Sequence, residues 1–323
     1  MKYRSWLVMV LMVMSASVVQ PQSKHPPETR NAALRYWMAF AEMQDPPADK
    51  PTQDLLEKTS AGEAVWDEKR LGPILDANGE AIRTMQRATK LPECDWGLEY
   101  DRGVRAGIPY VARARAMARL NQLAGMRAMD KGDSQAAVDA WLDGVRFSQH
   151  LAKGGTLISA LVAKSALLPN LRALTTEAKQ GHLTDLQKKR VSSALRELPE
   201  DGFNWSAAWG LEELTLEQFL SELGSPGDHR TAYESIVGEP MPSGEGVPGS
   251  EDARRLREHM TSVQAALTLP PNTTKTRLAA LETQERGFAE AIQRLIPSAQ
   301  RVNDARLEVF AVRRDLLKIL ASE

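Results

Sequence analysis

The chain has 323 residues, 42% of them hydrophobic, 26% charged and 6% aromatic, a globular mixture that excludes disorder of the whole chain and can fill one large or two modest cores. Its 41 basic and 42 acidic side chains leave a formal charge of -1, which gives no general attraction to nucleic acid or anionic lipid. Cys94 is the single cysteine, so internal disulfides and multi-cysteine metal sites are excluded and packing must supply the stability.

Residues 1–17 place Lys2 and Arg4 before the apolar run Trp6 to Met14, with Ser15, Ala16 and Ser17 after it. That order predicts a secretory signal peptide. The run is about half the roughly 18 apolar residues that a span requires, so no integral membrane segment is expected once the leader is gone. Residues 18–28, with Pro21, Pro26 and Pro27, are expected to form an extended tether. The expected location is periplasmic or extracellular.

Beyond the tether the 3.6-residue period recurs almost everywhere, and no six-residue stretch alternates apolar and polar residues with β-branched enrichment. The predicted class is all-α. Helices are expected at about Asn31 to Met43, Gln53 to Thr59, Gly72 to Thr89, Pro109 to Asp130, Ser134 to Lys153, Thr156 to Gln180 and Asp185 to Leu198. Further helices are expected at Ser206 to Leu223, Glu251 to Leu269, Thr276 to Ile296 and Ser298 to Ala321. Thr52 and Thr184 are expected N-caps, and Gly62, Gly181 and Gly224 suit the left-handed turn past a helix end. Pro169 removes a backbone donor and predicts a kink or break near Leu168. Prolines 226, 240, 242 and 248 with repeated glycines mark a flexible loop over 224–250. The expected organisation is an N-terminal helical repeat-like body over 29–199 and a C-terminal helical region over 200–323.

The stretch from Leu120 to Val145 predicts a helical hairpin. Leu120, Leu123, Ala124 and Arg127 share a face of its first helix, Ala137, Trp141 and Gly144 share a face of the second, and Gly132-Asp133 makes the turn. The small residues let the backbones approach while Leu120, Leu123 and Trp141 fill the space between. This spacing resembles a single tetratricopeptide motif, with Arg127 where an aromatic residue is usual, Gln149 where the closing proline is usual, and no second copy 34 residues away. The resemblance implies stacked antiparallel hairpins in an irregular α-solenoid or bundle.

A wider resemblance covers about Asn31 to Leu174. NAALRYWMAF, the CDWG of Cys94 to Gly97 followed by Asp101 and Gly103, the hairpin, and LISALVAKSAL together are similar to a set of exported bacterial α-helical proteins for which no activity is established. The resemblance implies an envelope or extracellular setting and carries over no catalytic residue.

In the C-terminal region Leu278, Leu281, Glu285, Phe288, Ile292 and Leu295 form a seam with one charged interruption. Continued unchanged, that register brings in Arg306 and Arg313. Shifted at Pro297, it gives Val302, Ala305, Val309, Val312, Leu316 and Ile319, an uncharged face that predicts a C-terminal helical hairpin or packing against the N-terminal body.

Motifs for zinc proteases, serine hydrolases, phosphate loops and dinucleotide binding are all missing from the sequence, and no two of the five histidines are spaced to share a metal on one helix. No catalytic residue, cofactor or metal ligand is therefore assigned. Cys94 could pair with His150 as a thiolate and imidazole, or be a small buried residue. Glu93, Asp95, Glu99 and Asp101 could act as paired carboxylates or remain solvated. The arginines 102, 105, 113, 115, 119 and 127 are expected to make local ion pairs with Glu93 through Asp101. Trp205 and Trp209, one turn apart, are either core or a flat ligand-binding face. The candidate surface or ligand site is thus Cys94, Asp95, Trp96, Asp101, Trp205 and Trp209.

Three function classes remain open: a scaffold that binds a protein or peptide of the cell envelope, a binder of an apolar small molecule or lipid in an interhelical cavity lined by Trp and Met, and a hydrolase using Cys94 or the nearby carboxylates. The first is the leading expectation.

Overall fold

The computed structural model describes residues 29–223, 229–242 and 250–322. The expected signal peptide (1–17), the tether (18–28) and Gly224 lie outside the described residues. The protein is all-α. Its helices are α1 (Ala32–Glu42), α2 (Lys50–Ala61), α3 (Glu68–Ala77), α4 (Gly79–Ala88), α5 (Val111–Asp130), α6 (Ser134–Ala152) and α7 (Leu157–Lys179). They continue as α8 (Asp185–Arg196), α9 (Trp205–Leu223), α10 (His229–Val237), α11 (Ser250–Leu267), α12 (Pro271–Glu285), α13 (Glu290–Gln293) and α14 (Ala299–Ala321), with a 3-10 helix at Tyr100–Arg105. Among the described residues there is no strand, only an isolated bridge between Asn31 and Glu93.

Several expected boundaries shift for identifiable reasons. The helix expected over Gly72 to Thr89 is two helices, because Asn78 turns its side chain on the backbone, donating to the Ile74 carbonyl at 2.9 Å and accepting from the Gln44 N–H at 2.8 Å. Asp49, not Thr52, caps α2, its carboxylate accepting the Thr52 N–H at 2.9 Å. Thr184 does cap α8, in a reciprocal box with Gln187. Gly62 and Gly181 take the left-handed conformation at φ 78° and 72°. The segment expected as a flexible loop contains α10, held because Tyr233 is fully buried and its hydroxyl donates to the Ala291 carbonyl at 3.1 Å. The helix expected at Thr276 to Ile296 starts earlier, on Pro271, whose missing N–H costs nothing in a first turn, and divides around Gly287 into α12 and α13.

No break occurs at Leu168. α7 runs unbroken through Pro169, packed against α5, α6, α9 and α14, and this lateral support outweighs the one lost backbone bond. Although α7 is long and apolar enough to cross a membrane by composition, most of it is buried inside the fold.

The hairpin closes as α5 and α6. Gly132 sits at φ 78°, the Asp133 N–H donates back to the Ala128 carbonyl at 2.9 Å, and the Asp133 carboxylate caps α6 by accepting the Ala136 N–H at 2.9 Å. Leu120, Leu123, Ala137 and Trp141 are buried as expected. The small residue beneath the indole differs: Ala124 is only half-buried, whereas a Cβ on Gly125 would stand 2.4 Å from Trp141 Nε1. Gly144 faces the opposite way, toward α7, where a Cβ would meet Asn170 Oδ1 at 2.5 Å. Thus α6 touches α5 through one glycine and α7 through another, and α5 and α7 also pack on each other.

The core is one contiguous cluster extending from Ala32 to Leu316, and α14 packs against α12 as well as α7 and α8. The charged interruption in the seam, Glu285, has a partner in His259, whose Nε2 lies 2.9 Å from it. The face expected to be free of charge is not. Arg306 is buried beside Val302, Ala305 and Val309, and it is tolerated because Asp201 accepts from its Nε at 2.7 Å and the Leu269 carbonyl from its Nη2 at 2.6 Å.

Trp141→Ala is expected to lower stability by about 3–5 kcal/mol in urea unfolding, as for other buried aromatic truncations. Gly125→Ala is expected to cost about 1–3 kcal/mol by overpacking against the indole. The double substitution should cost clearly less than the two singles together; strict additivity would separate Gly125 from the indole.

Candidate functional site

CDWG and the start of α1 form one structural unit. Asn31 accepts the Ala33 N–H as the α1 cap and also accepts the Asp95 N–H at 2.8 Å, while its Nδ2 donates to the Asp95 carbonyl at 2.9 Å. Asp95 closes its own turn by accepting the Gly97 N–H at 2.9 Å. Trp96 then enters an aromatic cluster, stacking on Tyr110 with centroids 4.1 Å apart and on Tyr36 at 5.6 Å. Its Nε1 donates to the His150 carbonyl at 2.8 Å, and the Cys94 thiol approaches that same oxygen at 3.7 Å.

The imidazole of His150 is turned elsewhere, its Nδ1 2.7 Å from the Tyr36 hydroxyl. Cys94 and His150 are therefore brought together without a sulfur–imidazole contact. Burial pushes the Cys94 thiol up to about 12, which keeps it protonated at neutral pH. Burial, aided by Lys153, lowers His150 to about 4, which keeps the ring neutral. Around them the carboxylates disperse: Glu93 accepts from Arg30 at 2.7 Å, Glu99 from Arg102 at 2.9 Å, and Asp101 is exposed. No group of three potential metal ligands occurs among the described residues.

Trp205 and Trp209 belong to a different neighbourhood from Cys94 and Trp96. Both are buried, with Trp205 Nε1 donating to the Asp201 carbonyl at 3.0 Å and Trp209 Nε1 to the Met260 carbonyl at 3.1 Å.

The concave feature with convergent chemistry lies between α5 and α7. The two helices each run antiparallel to α6 and hence parallel to each other, and the residues Arg115, Arg119, Gln122, Met126 and Met129 descend one face of α5 at helical spacing. At 1.5 Å per residue that stripe is about 21 Å long. Ser165, Pro169, Arg172 and Thr176 form the facing stripe on α7. Gln122 Nε2 donates to the Ser60 carbonyl at 3.0 Å, tying the end of α2 over the middle. The groove consequently has two chambers that share Ser60, Ala61, Gln122, Pro169 and Arg172: one of about 330 Å³ with Arg115, Arg119 and Glu57, and one of about 180 Å³ lined by Trp66, Met126, Met129 and Trp141 together with Asp130 and Glu177.

Polar groups in this groove are incompletely satisfied. Gln122 is 3% exposed, and with Nε2 committed, its Oε1 has no donor, while Ser60 Oγ has no partner at all. Pro169 has no N–H, so the Ser165 carbonyl loses its helical donor. Arg102 makes the expected local pair, with Glu99. Arg113 reaches Asp45, Arg127 reaches Glu68 and Asp76, and Arg115 and Arg119 have no described carboxylate within ion-pair distance. Arg172 contacts Glu308 at 2.6 Å through Nη2. The candidate residues named from sequence are absent from this groove. Its legible trace was the one-turn spacing of Arg115 and Arg119, which continues along α5 into Gln122 and the two methionines.

Acidification should expose the buried histidine. Because folded His150 titrates near 4 and a free imidazole near 6.5, the unfolded chain takes up the proton first as pH falls through that window, and roughly 3 kcal/mol of stability is lost by pH 4. Urea midpoints at pH 7 and 4.5 should therefore converge in His150→Gln relative to wild type; equal drops in the two proteins would contradict a buried neutral ring. For Cys94, iodoacetamide alkylation at pH 8 should be at least tenfold slower than in urea-unfolded protein.

Comparison of the chain with protein-family models, with curated proteins and with solved structures finds no match.

Proposed function

We propose that this chain is an exported helical scaffold that binds a protein or peptide of the cell envelope, with the α5–α7 groove as its binding face. The reading of residues 1–17 as a leader supports export. The groove supports binding: it is concave and long, with rings and methionines beside Asp130 and Glu177 at one end and Arg115 and Arg119 beside Glu57 at the other. Rigid helices supply both walls, which suits recognition more than a mobile loop would. A groove between packed helices is the kind of surface on which helical scaffolds receive an extended segment, which supports the reading. The Trp66, Met126, Met129 and Trp141 chamber also favours a second reading, a small apolar ligand, limited by its volume of about 180 Å³.

A photo-crosslinking residue at Ser165, in the groove wall, should yield discrete protein or peptide adducts in the native host. The same residue at Leu186, an exposed site on α8, should not. Adducts of equal yield at both positions, or none at Ser165, would defeat the assignment of the groove, and retention in the cytosolic fraction would defeat export.

A further inference from the structure

We infer that the smaller chamber of the groove receives a lysine or arginine side chain of the bound segment; this deepens the peptide-binding reading above and rests on it. The observation that carries it is the convergence of three helix C-termini on a cavity with soft apolar walls.

Helix α2 ends at Ala61, α5 at Asp130 and α7 at Lys179, and the chamber is lined from each of these ends, by Ala61 and Gly62, by Met129 and Asp130, and by Thr176 and Glu177. The C-terminal end of a helix carries partial negative charge, so three such ends around one cavity favour a cation.

The carboxylates add to that field. Asp130 has no ion pair among the described residues, and Glu177 is largely buried, with only the exposed His182 beside it, Nδ1 to Oε2 2.7 Å. Cations near the end of α5 point elsewhere: Arg127 and Lys131 both reach Glu68. Arg172 does line the chamber, but its guanidinium reaches Glu308 on α14 at 2.6 Å.

The apolar part of the wall selects the kind of cation. Half-buried Trp66 offers an indole and half-buried Met126 and Met129 offer polarisable thioethers, surfaces that attract an organic cation and give a hydrated inorganic ion nothing. A lysine or arginine lays its aliphatic stem on such walls while its head donates to carboxylates. Volume limits the occupant: a cavity of about 150 Å³ accommodates benzene, so the 180 Å³ chamber takes one such stem. A quaternary ammonium would suit the walls but brings no N–H to Asp130 and Glu177.

The test is NMR of the full mature chain labelled at its methionine methyl groups, with Met126→Leu and Met129→Leu used to assign the two chamber signals. N-acetylated, C-amidated Ala-Ala-Lys-Ala-Ala should shift both signals saturably, and at least tenfold more tightly than the same peptide with norleucine in place of lysine. That preference should vanish in Asp130→Asn/Glu177→Gln, whose remaining methionine signals should match wild type. n-Butylammonium should bind at least fivefold more weakly than the lysine peptide, and tetramethylammonium more weakly still. Equal binding of the lysine and norleucine peptides, an unaltered preference in the double variant, or no shift at all would overturn the inference. Equal binding of n-butylammonium would overturn it in favour of a free amine, and equal binding of tetramethylammonium in favour of a quaternary ammonium. The two readings fail separately: loss of the lysine preference strikes the cation pocket and leaves the Ser165 crosslinks standing, while missing crosslinks strike the groove as a partner face whatever the chamber binds.

Discussion

The architecture depends on the space that two glycines leave on either side of α6. A Cβ at Gly125 would collide with the Trp141 indole, and one at Gly144 would collide with the Asn170 side chain. With hydrogen in those places α5, α6 and α7 can approach closely enough for ridges and grooves to interlock. Trp141 then lies almost wholly buried between α5 and α6, with its Nε1 donating to the Gln122 carbonyl at 3.2 Å. The groove follows from that placement: the indole contributes to its smaller chamber, and the same residue whose carbonyl takes the indole proton, Gln122, supplies the side chain that joins α2 to the groove. Packing and site therefore share residues.

A second constraint acts at the other end of α6. The last carbonyls of a helix have no intrahelical donor and must be satisfied from outside. Here the His150 carbonyl receives Trp96 Nε1 and the Cys94 thiol, the Leu151 carbonyl lies 3.4 Å from the Tyr110 hydroxyl, and Tyr100 donates to the Gly154 carbonyl at 2.7 Å. CDWG is accordingly the closing device for α6, fastened to α1 through Asn31. This explains why a cysteine, a carboxylate and an indole stand together in the sequence without forming reactive chemistry: the sulfur and indole cap a helix, and the carboxylate closes a turn.

The helical class and most helix ends were legible because they are local. Period, the cap at Thr184, the turn at Gly132-Asp133, and left-handed turns at Gly62 and Gly181 depend on neighbours in the chain. What escaped were outcomes set by residues far away. Ala124 was the small residue suggested by spacing, but the indole lies over Gly125, one position on, and only the rotation of α5 against α6 decides between them. Arg306 was excluded from the apolar face of α14 on charge grounds, yet Asp201, more than a hundred positions earlier, meets it inside. The groove was hidden for the same reason. Arg115 and Arg119 are visible as a pair, but their companions Ser60, Ser165 and Arg172 come from two other helices.

The places where local rules are broken are not scattered at random. Among the buried side-chain atoms without hydrogen-bond partners, those of Thr59, Ser60 and Gln122 lie at the junction of α2 and α5, and that of Asn170 follows Pro169 in sequence. Pro169 itself is a helix breaker kept within an unbroken helix. Each such atom costs about 1–3 kcal/mol relative to a satisfied one. Gln122 has a structural use at that junction, since its Nε2 donates to the Ser60 carbonyl at 3.0 Å, and a Leu there would remove one unsatisfied atom only by leaving another at Ser60. Of these residues Ser60 and Gln122 line the α5–α7 groove, whereas Asn170 turns toward Gly144 on α6, so the unsatisfied atoms mark the close helix contacts as much as the groove.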